Sequence, residues 1–487
     1  MLRAMNTMAE TRLRLRSGPV LEIICITGIV LAYAVAFFVF SVPIRAQIGT
    51  TVAILLVILF LCWRNMGRGL HPLFFFFGLL LLFQGGRLLV SVVQPDFDPM
   101  QVVLATTEPF DVSIRAQRLT LFAIVLSAAA VFGVVRALAS QIHFTDPPAT
   151  YLTPYLELIF WTTFPFHLWK NYQYFSFARA NGGYLAIYLH HAELLASAGF
   201  PARVLSAVCS AAFVVCICYE RSRRRFAWLC IAYLGASTME LLLGLRGKVL
   251  MLVLCLWFLR KLKTGGKLRF GTLAALALAL IIISQSAAAF RERLDNSFSP
   301  WRLPAIFLSQ QGMSMQVTET TVAFYSQFSP HRLTYLVHDL LVPVMAEETG
   351  ELGQYLDEDI GWFLSPEAAR AGYGPGGSYL AEAYALGRLP GVFLESVIVG
   401  LLLAWMARSF RGTWTPFVFT MMLFLLYIPR DFLGAALSRT VLNWVLISGI
   451  LALAWLTAKA TAQLKPLLRA ASARIEQRAL GSGADHF

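Results

Sequence analysis

Leu268-Arg-Phe-Gly-Thr-Leu-Ala-Ala-Leu-Ala-Leu-Ala-Leu-Ile-Ile-Ile-Ser-Gln-Ser-Ala-Ala-Ala289 runs without a break into Phe290-Arg291-Glu292-Arg293. The first part is an apolar run of membrane-crossing length, because a hydrocarbon core of about 30 Å takes roughly 20 helical residues. The second part opens a polar stretch that continues to Arg388. This junction predicts a membrane helix that delivers the chain into one long loop. Working outward, similar apolar runs lie near 20–40, 48–63, 70–93, 117–139, 151–170, 202–219, 226–244, 247–260, 385–407, 414–429 and 438–459. The chain of 487 residues is 58% hydrophobic and 14% charged, which leaves too little polar surface to cover a soluble globule. The expected fold is an all-α polytopic membrane protein of about 12 transmembrane helices.

The net charge of +13 raises the question of nucleic-acid binding, but the positions of the charges answer it. Lys and Arg gather at Arg12–Arg16, Arg64–Arg68, Arg221–Arg225, Arg260–Arg269, Arg408–Arg411 and Lys459–Arg474. These clusters fall on every second connection and on both termini. Short basic loops stay cytoplasmic, so both ends are expected inside and the number of spans is even. Two spans rather than one are expected for 226–244 and 247–260, since basic clusters flank the pair. The seven cysteines all lie in apolar runs, without the spacing of a zinc site or a disulfide framework. The Arg-rich start and the run from Val20 to Phe40 resemble a signal peptide, but the run has full spanning length and reads as a retained first helix.

The expected organisation is helices 1–9 over 1–290, a folded outer loop domain over 291–384, helices 10–12 over 385–460 and a basic tail over 461–487. The stretch 291–388 carries six basic residues against twelve acidic ones, opposite in sign to the rest of the chain. Its length and apolar content predict a folded unit. Ile306, Phe307, Met313, Val317 and Phe324 have helical spacing, which predicts an amphipathic helix over 304–327 lying on the membrane surface.

Cations on the outer side carry the first functional reading. Arg246 and Lys248 sit at a turn between two spans, Arg291 and Arg293 leave the ninth span, and Arg430 follows Pro429 at another outer turn. Charge at that depth has a partner or a task. Snorkelling, or a local pair such as Arg430 with Asp431, accounts for it structurally. A shared anion site, with guanidinium groups gripping a diphosphate, accounts for it functionally. Gly372-Tyr-Gly-Pro-Gly-Gly-Ser378 reads as a loop in which Ser378 caps the following helix. Glu382 and Tyr384 then fall in that helix's first two turns. Gly387 and Gly391 suit close helix packing. His338 beside Asp339 offers a general base near neutral pH. His190-His191-Ala-Glu193 lacks a third metal ligand at suitable spacing, so no metal is expected. No phosphate-binding loop, nucleotide fingerprint or catalytic triad order is present.

Gly244-Leu-Arg246-Gly247, Asn296-Ser-Phe-Ser-Pro300-Trp301, Ser309-Gln-Gln311-Gly-Met-Ser314, Tyr335-Leu-Val-His338-Asp339 and Gly376-Gly-Ser378-Tyr-Leu-Ala-Glu382-Ala-Tyr384 follow one another around the long loop. Together, over about 244–431, they resemble the O-antigen polysaccharide polymerases, or oligosaccharide repeat-unit polymerases. The resemblance implies a GT-C-like glycosyltransferase of the bacterial inner membrane, with its active site in the periplasm. It implies a substrate of undecaprenyl-diphosphate-linked oligosaccharide, no nucleotide sugar and no required metal or other cofactor. Membrane lipids, a chain-length regulator and a flippase are the expected partners, and nucleic acid is not. In that frame Arg246, Arg291, Arg293 and Arg430 would hold the diphosphate. His338 or Glu382 would deprotonate the acceptor hydroxyl, and Gln311, Ser314, Tyr335, Ser378 and Tyr384 would contact glycan. An O-antigen ligase, a lipid-linked oligosaccharide flippase or transporter, and a non-catalytic length-setting scaffold are the competing readings.

Overall fold

The computed structural model describes residues 19–481 with the exception of 41, 67–69, 95, 100–111, 140, 143, 148–149, 182, 184–186, 188–189, 244–245, 267–268, 293–302, 342–352 and 371–374. Among these residues no strand forms, and one isolated bridge joins Thr145 to Arg411. The first half contains α1 (Pro19–Val39), α2 (Ile44–Asn65), α3 (Pro72–Phe83), α4 (Gly86–Val93), α5 (Ile114–Leu138) and α6 (Thr153–Ala180). It continues with α7 (His191–Ala198), α8 (Phe200–Tyr219), α9 (Arg223–Leu242), α10 (Arg246–Lys263) and α11 (Phe270–Glu292). The long loop forms α12 (Leu303–Gln311), α13 (Met313–Ala323), α14 (Tyr325–Phe328), α15 (Arg332–Leu341), α16 (Leu356–Leu364) and α17 (Pro366–Arg370). The chain ends with α18 (Tyr379–Ser409), α19 (Thr415–Leu425) and α20 (Leu433–Gly481).

Among the described residues seven helices are long and apolar enough to cross a membrane, and eight if α3 and α4, bent by 61°, count as one broken span. The expectation was about twelve. The remaining four runs do form helices, but their composition is mixed. Glu157, His167, Lys170 and Asn171 interrupt α6, α9 opens on Arg223–Arg225 and carries Glu240, and α10 is charged at both ends. In α11 the described apolar stretch is short, Gly271–Ser286. The pair 226–244 and 247–260 forms two separate helices, α9 and α10, as the flanking charges predict.

One pole of the bundle gathers the basic helix ends. Arg136 at the end of α5 pairs with Glu22 near the start of α1 at 2.6 Å, and Asn65 at the end of α2 donates to the same carboxylate at 2.9 Å. His71 Nε2 meets the Ala139 carbonyl oxygen at 3.1 Å, and Arg408 donates to the Leu138 carbonyl. Lys263 Nζ donates to the carbonyls of Ile217 and Glu220 at 2.7 Å each, so the ends of α10 and α8 join there too. Arg225 faces Glu157 at 3.8 Å.

Away from this basic pole the helices break. α3 has 12 residues and rises about 18 Å, short of a bilayer core, before Gln84 and Gly85 bend the chain. α18 has non-helical backbone at Gly387 (φ −157°, ψ 23°) and Arg388 (φ 55°, ψ −142°). Tyr379 and Ser396, on either side of that break, both bond the Ser127 hydroxyl at 2.6 Å. Seventeen residues of straight helix would hold them about 25 Å apart. α18 is therefore a hairpin whose short first limb, Tyr379 to Ala385, is buried throughout. Gly391 lets the limbs close, because a Cβ there would strike the Ala383 carbonyl.

One expectation is corrected here. The stretch 304–327 is not one surface helix. Gly312 divides it, since a Cβ at Gly312 would lie 2.6 Å from the Arg87 backbone nitrogen. α13 then runs inside the protein, with every residue from Ser314 to Val322 buried. Its apolar side chains alternate with Ser314, Gln316, Thr318, Glu319, Thr320 and Thr321, so the helix is polar on several faces and packs against α18 and α5 rather than on lipid.

Candidate functional site

The bend after α3, the start of α18 and the turn before α20 meet in one polar junction. Gln84 Nε2 donates to Ser378 Oγ at 2.9 Å and to the Pro429 carbonyl at 2.8 Å. Thr318 Oγ1 donates to Gln84 Oε1 at 3.3 Å and lies 3.0 Å from Ser378 Oγ. Ser378 Oγ also accepts the Leu380 N–H at 3.2 Å, which is the expected N-cap of α18. Irregular backbone at membrane depth is tolerated where polar partners or a cavity satisfy it. Here Gln84 ties α3, α18 and the turn before α20 together.

On this junction stands Arg430, in the 3-10 turn Ile428–Arg430. Its guanidinium donates to Gln311 Oε1 at 2.8 Å and stacks over the Phe83 ring at 5.5 Å. The local pair with Asp431 does not form, because Asp431 turns to Arg439 instead. Tyr427, one turn before Arg430, packs on Phe83 and fills the space beside Gly247, where any Cβ would collide with its hydroxyl. The first turn of α10, which begins at Arg246, is thereby brought against the Arg430 turn. α11 approaches through Gln285, whose Nε2 donates to Gln310 Oε1 at 3.4 Å, next to Gln311. Arg291 is at the end of the same helix. The side chains of Arg246 and Arg291 lie outside the described set, and Arg293 lies outside the described residues.

Beside Arg430 is an acidic group. Glu382, 2% exposed, accepts the N–H groups of Leu433 at 2.6 Å and Gly434 at 3.3 Å, and so caps α20 from the buried limb of α18. Asp339 on α15, 4% exposed, has an Oδ2 atom with no hydrogen-bond partner. A Cβ placed on Gly434 would stand 3.0 Å from Asp339 Cβ and 3.1 Å from Glu382 Oε1. Gly434 is the spacer that lets the two acids face each other. Burial, then the neighbouring Glu382, Asp357 and Asp431 carboxylates, raise Asp339 to about 9 against the pull of Arg439. Burial and Asp431 raise Asp357 to about 6.

The other expected site residues take different places. His338 is half-buried with its ring edge-on to Tyr355 at 5.5 Å, while its neighbour Asp339 is the side chain buried among acids. Tyr335 donates to Asp359 Oδ2 at 2.5 Å, and the Gly353 N–H caps the same carboxylate at 2.9 Å. Ser314 and Ser378 are buried, and Ser378 is committed to the polar junction. Gln311 holds Arg430, and Tyr384 packs edge-on to Tyr325 at 5.8 Å. An open cavity of about 650 Å³ lies between α4 and α12, lined by Gln94, Asp96, Phe97, Ser309 and Gln310 with Val90, Ala305 and Ile306. Among the described residues no cluster of three or more His, Cys, Asp or Glu is placed to hold a metal ion.

Sequence reasoning missed Gln84, Thr318, Asp339 as a site acid, and the Asp431–Arg439 pair. Gln84-Gly-Gly-Arg87 in the middle of an apolar run was the available signal, since polar residues within a span mark function or breakage.

The geometry defines a polytopic helical membrane protein with a basic pole and, at the other end, broken helices around an arginine and buried acids. The family model for the O-antigen polysaccharide polymerase Wzy matches residues 20–461, and the chain belongs to this family. The match covers both the membrane helices and the long loop. No curated protein and no solved structure matches the chain. The family places the protein in the membrane and its activity in the polymerisation of O-antigen repeat units from lipid-linked oligosaccharide.

Proposed function

We propose that the protein joins undecaprenyl-diphosphate-linked oligosaccharide repeat units at the periplasmic face of the bacterial inner membrane, as a GT-C-like glycosyltransferase. Arg430 carries this reading: a half-buried guanidinium at the outer end of broken helices, fixed by Gln311 and Phe83, with the start of α10 packed beside it. In this reading Arg246, Arg291 and Arg430, with Arg293 nearby, bind the donor diphosphate. They stabilise the charge that develops as the glycosyl bond to phosphate breaks. The reading counts about twelve crossings by adding the bent α3–α4 pair and the four mixed helices α6, α9, α10 and α11 to the seven apolar ones. Both termini then lie at the basic, cytoplasmic pole.

Glu382 is the favoured acceptor base, because backbone N–H groups orient its carboxylate and Asp339 holds a proton beside it. His338 is the alternative base. The glycan approaches through the cavity between α4 and α12, where carboxylate, amide and aromatic groups suit sugar hydroxyls and faces. Gln311 and Tyr384 border the same outer region, whereas Ser314, Ser378 and Tyr335 act by holding the loop and hairpin in place. A chain-length regulator and a flippase are the partners this activity calls for.

Purified protein given the lipid-linked repeat unit alone is expected to make chains of increasing length. Single units remaining unjoined would remove the proposal. Growth that requires a lipid A core acceptor would indicate a ligase instead.

A further inference from the structure

Arg388 sits at the apex of the α18 hairpin with φ 55° and ψ −142°. It is the one non-glycine with positive φ among the described residues. That combination lies in a region open almost solely to glycine, and holding another residue there costs on the order of 1–3 kcal/mol. The adjacent Gly387 has φ −157°, outside the left-handed region that favours glycine. The glycine and the strained position are therefore offset by one, and an arginine bears the strain.

The side chain is exposed, and its guanidinium carbon sits over the Tyr325 ring, 4.4 Å from the ring centre. Tyr325 is in turn braced edge-on by Tyr384 at 5.8 Å. Arg115, on the first turn of α5, lies within electrostatic reach of the same Tyr384. Among the described residues no carboxylate is in ion-pair range of Arg388. Stacking fixes the plane of a guanidinium and leaves its N–H edge facing outward, the geometry that takes two oxygens of one carboxylate or phosphate.

We propose that Arg388, stacked on Tyr325 at the strained apex of the α18 hairpin, is a binding site for a carboxylate or phosphate group. The turn stores strain to aim the fork, and the tyrosine pair holds it. The oxyanion can belong to an acidic sugar, to a free or lipid-borne diphosphate, or to an anionic lipid headgroup. The site is distinct from Arg430, and its test reads binding rather than polymerisation, so the failure of either idea leaves the other standing.

The test uses full-length protein in nanodiscs, with thermal melting read as a function of added ligand. Sodium glucuronate and inorganic pyrophosphate are the soluble probes, and phosphatidylglycerol against phosphatidylcholine discs tests the headgroup. Arg388→Gly is expected to melt higher than wild type without ligand, because the strain is relieved. At least one of the three probes is expected to raise the melting temperature of wild type but not of Arg388→Gly. For that probe, Arg388→Lys is expected to bind about tenfold more weakly, since it keeps the charge and loses the fork. The probe that responds identifies the source of the oxyanion. A lower melting temperature for Arg388→Gly, or a response to every probe that is the same with and without Arg388, would overturn the proposal.

Discussion

The two poles of this molecule treat charge in opposite ways. At the basic pole, Arg136, Asn65 and Glu22 bind one another, and Lys263 is fixed by two carbonyls. The helices that end there are continuous in their basic halves. At the other pole the helices break at Gln84–Gly85, at Gly387–Arg388 and around Pro429. There Asp339 keeps an oxygen without a hydrogen-bond partner, both oxygens of Glu319 are likewise unbonded, and Arg388 bears a strained backbone. Buried polar groups left unsatisfied cost free energy. Glu157 and Glu220 at the basic pole also keep an oxygen without a hydrogen-bond partner, so what sets the other pole apart is its broken and strained backbone rather than unsatisfied charge alone.

The sharpest way to break this comparison is an activity–stability dissociation. Arg430→Ala is expected to lower polymer yield by about 100-fold or more, the scale of losing a group that stabilises developing charge, with melting close to wild type. Arg136→Ala, at the other pole, is expected to do the reverse. It should cost about 2–3 kcal/mol, somewhat less than a fully buried pair because Glu22 is partly exposed. Activity per folded molecule should persist. Both variants losing activity without losing stability would erase the distinction between the poles.

Asp339 sharpens the comparison through pH. Its carboxyl titrates at about 9 in the folded protein against an ordinary 3.8, so the folded state holds this proton more tightly than the unfolded chain. The stability it contributes is therefore full below about 4 and is lost as pH rises towards about 9. Asp339→Asn, which cannot ionise, is expected to melt above wild type at neutral pH, by a margin that widens up to about pH 9. Melting curves from pH 5 to 9 check this, and parallel curves for the two proteins would mean that Asp339 is ionised like an exposed acid. The smallest expected effect is that of Tyr335→Phe. It removes one donor to Asp359 while the Gly353 N–H remains, a loss of about 1–2 kcal/mol measurable as a modest drop in melting temperature with polymer still made.

Much of this was legible in the chain. Apolar runs alternating with Lys/Arg clusters gave the helical membrane class, and the separation of α9 from α10 followed from the charges flanking them. Ser378 proved to be the cap that its place after a Gly/Pro run suggests. The surface helix over 304–327 was misread because periodicity reports which faces are apolar, not what covers the polar ones. In α13 the polar faces are met by other helices. His338 stood out over Asp339 because histidine as a residue type titrates near neutral pH, whereas burial among carboxylates raises Asp339 to about 9.

Sequence alone determined the class, the number of apolar runs and the family, because hydrophobicity and charge order act locally and survive any rearrangement of helices. Tertiary structure alone decided that α18 folds back on itself, that Gln84 joins the end of α3 to the start of α18 and the Pro429 turn, and that Glu382 and Asp339 share the space beside Gly434. Those outcomes depend on contacts between residues tens to hundreds of positions apart, where a missing Cβ or a single hydrogen bond selects one packing over another.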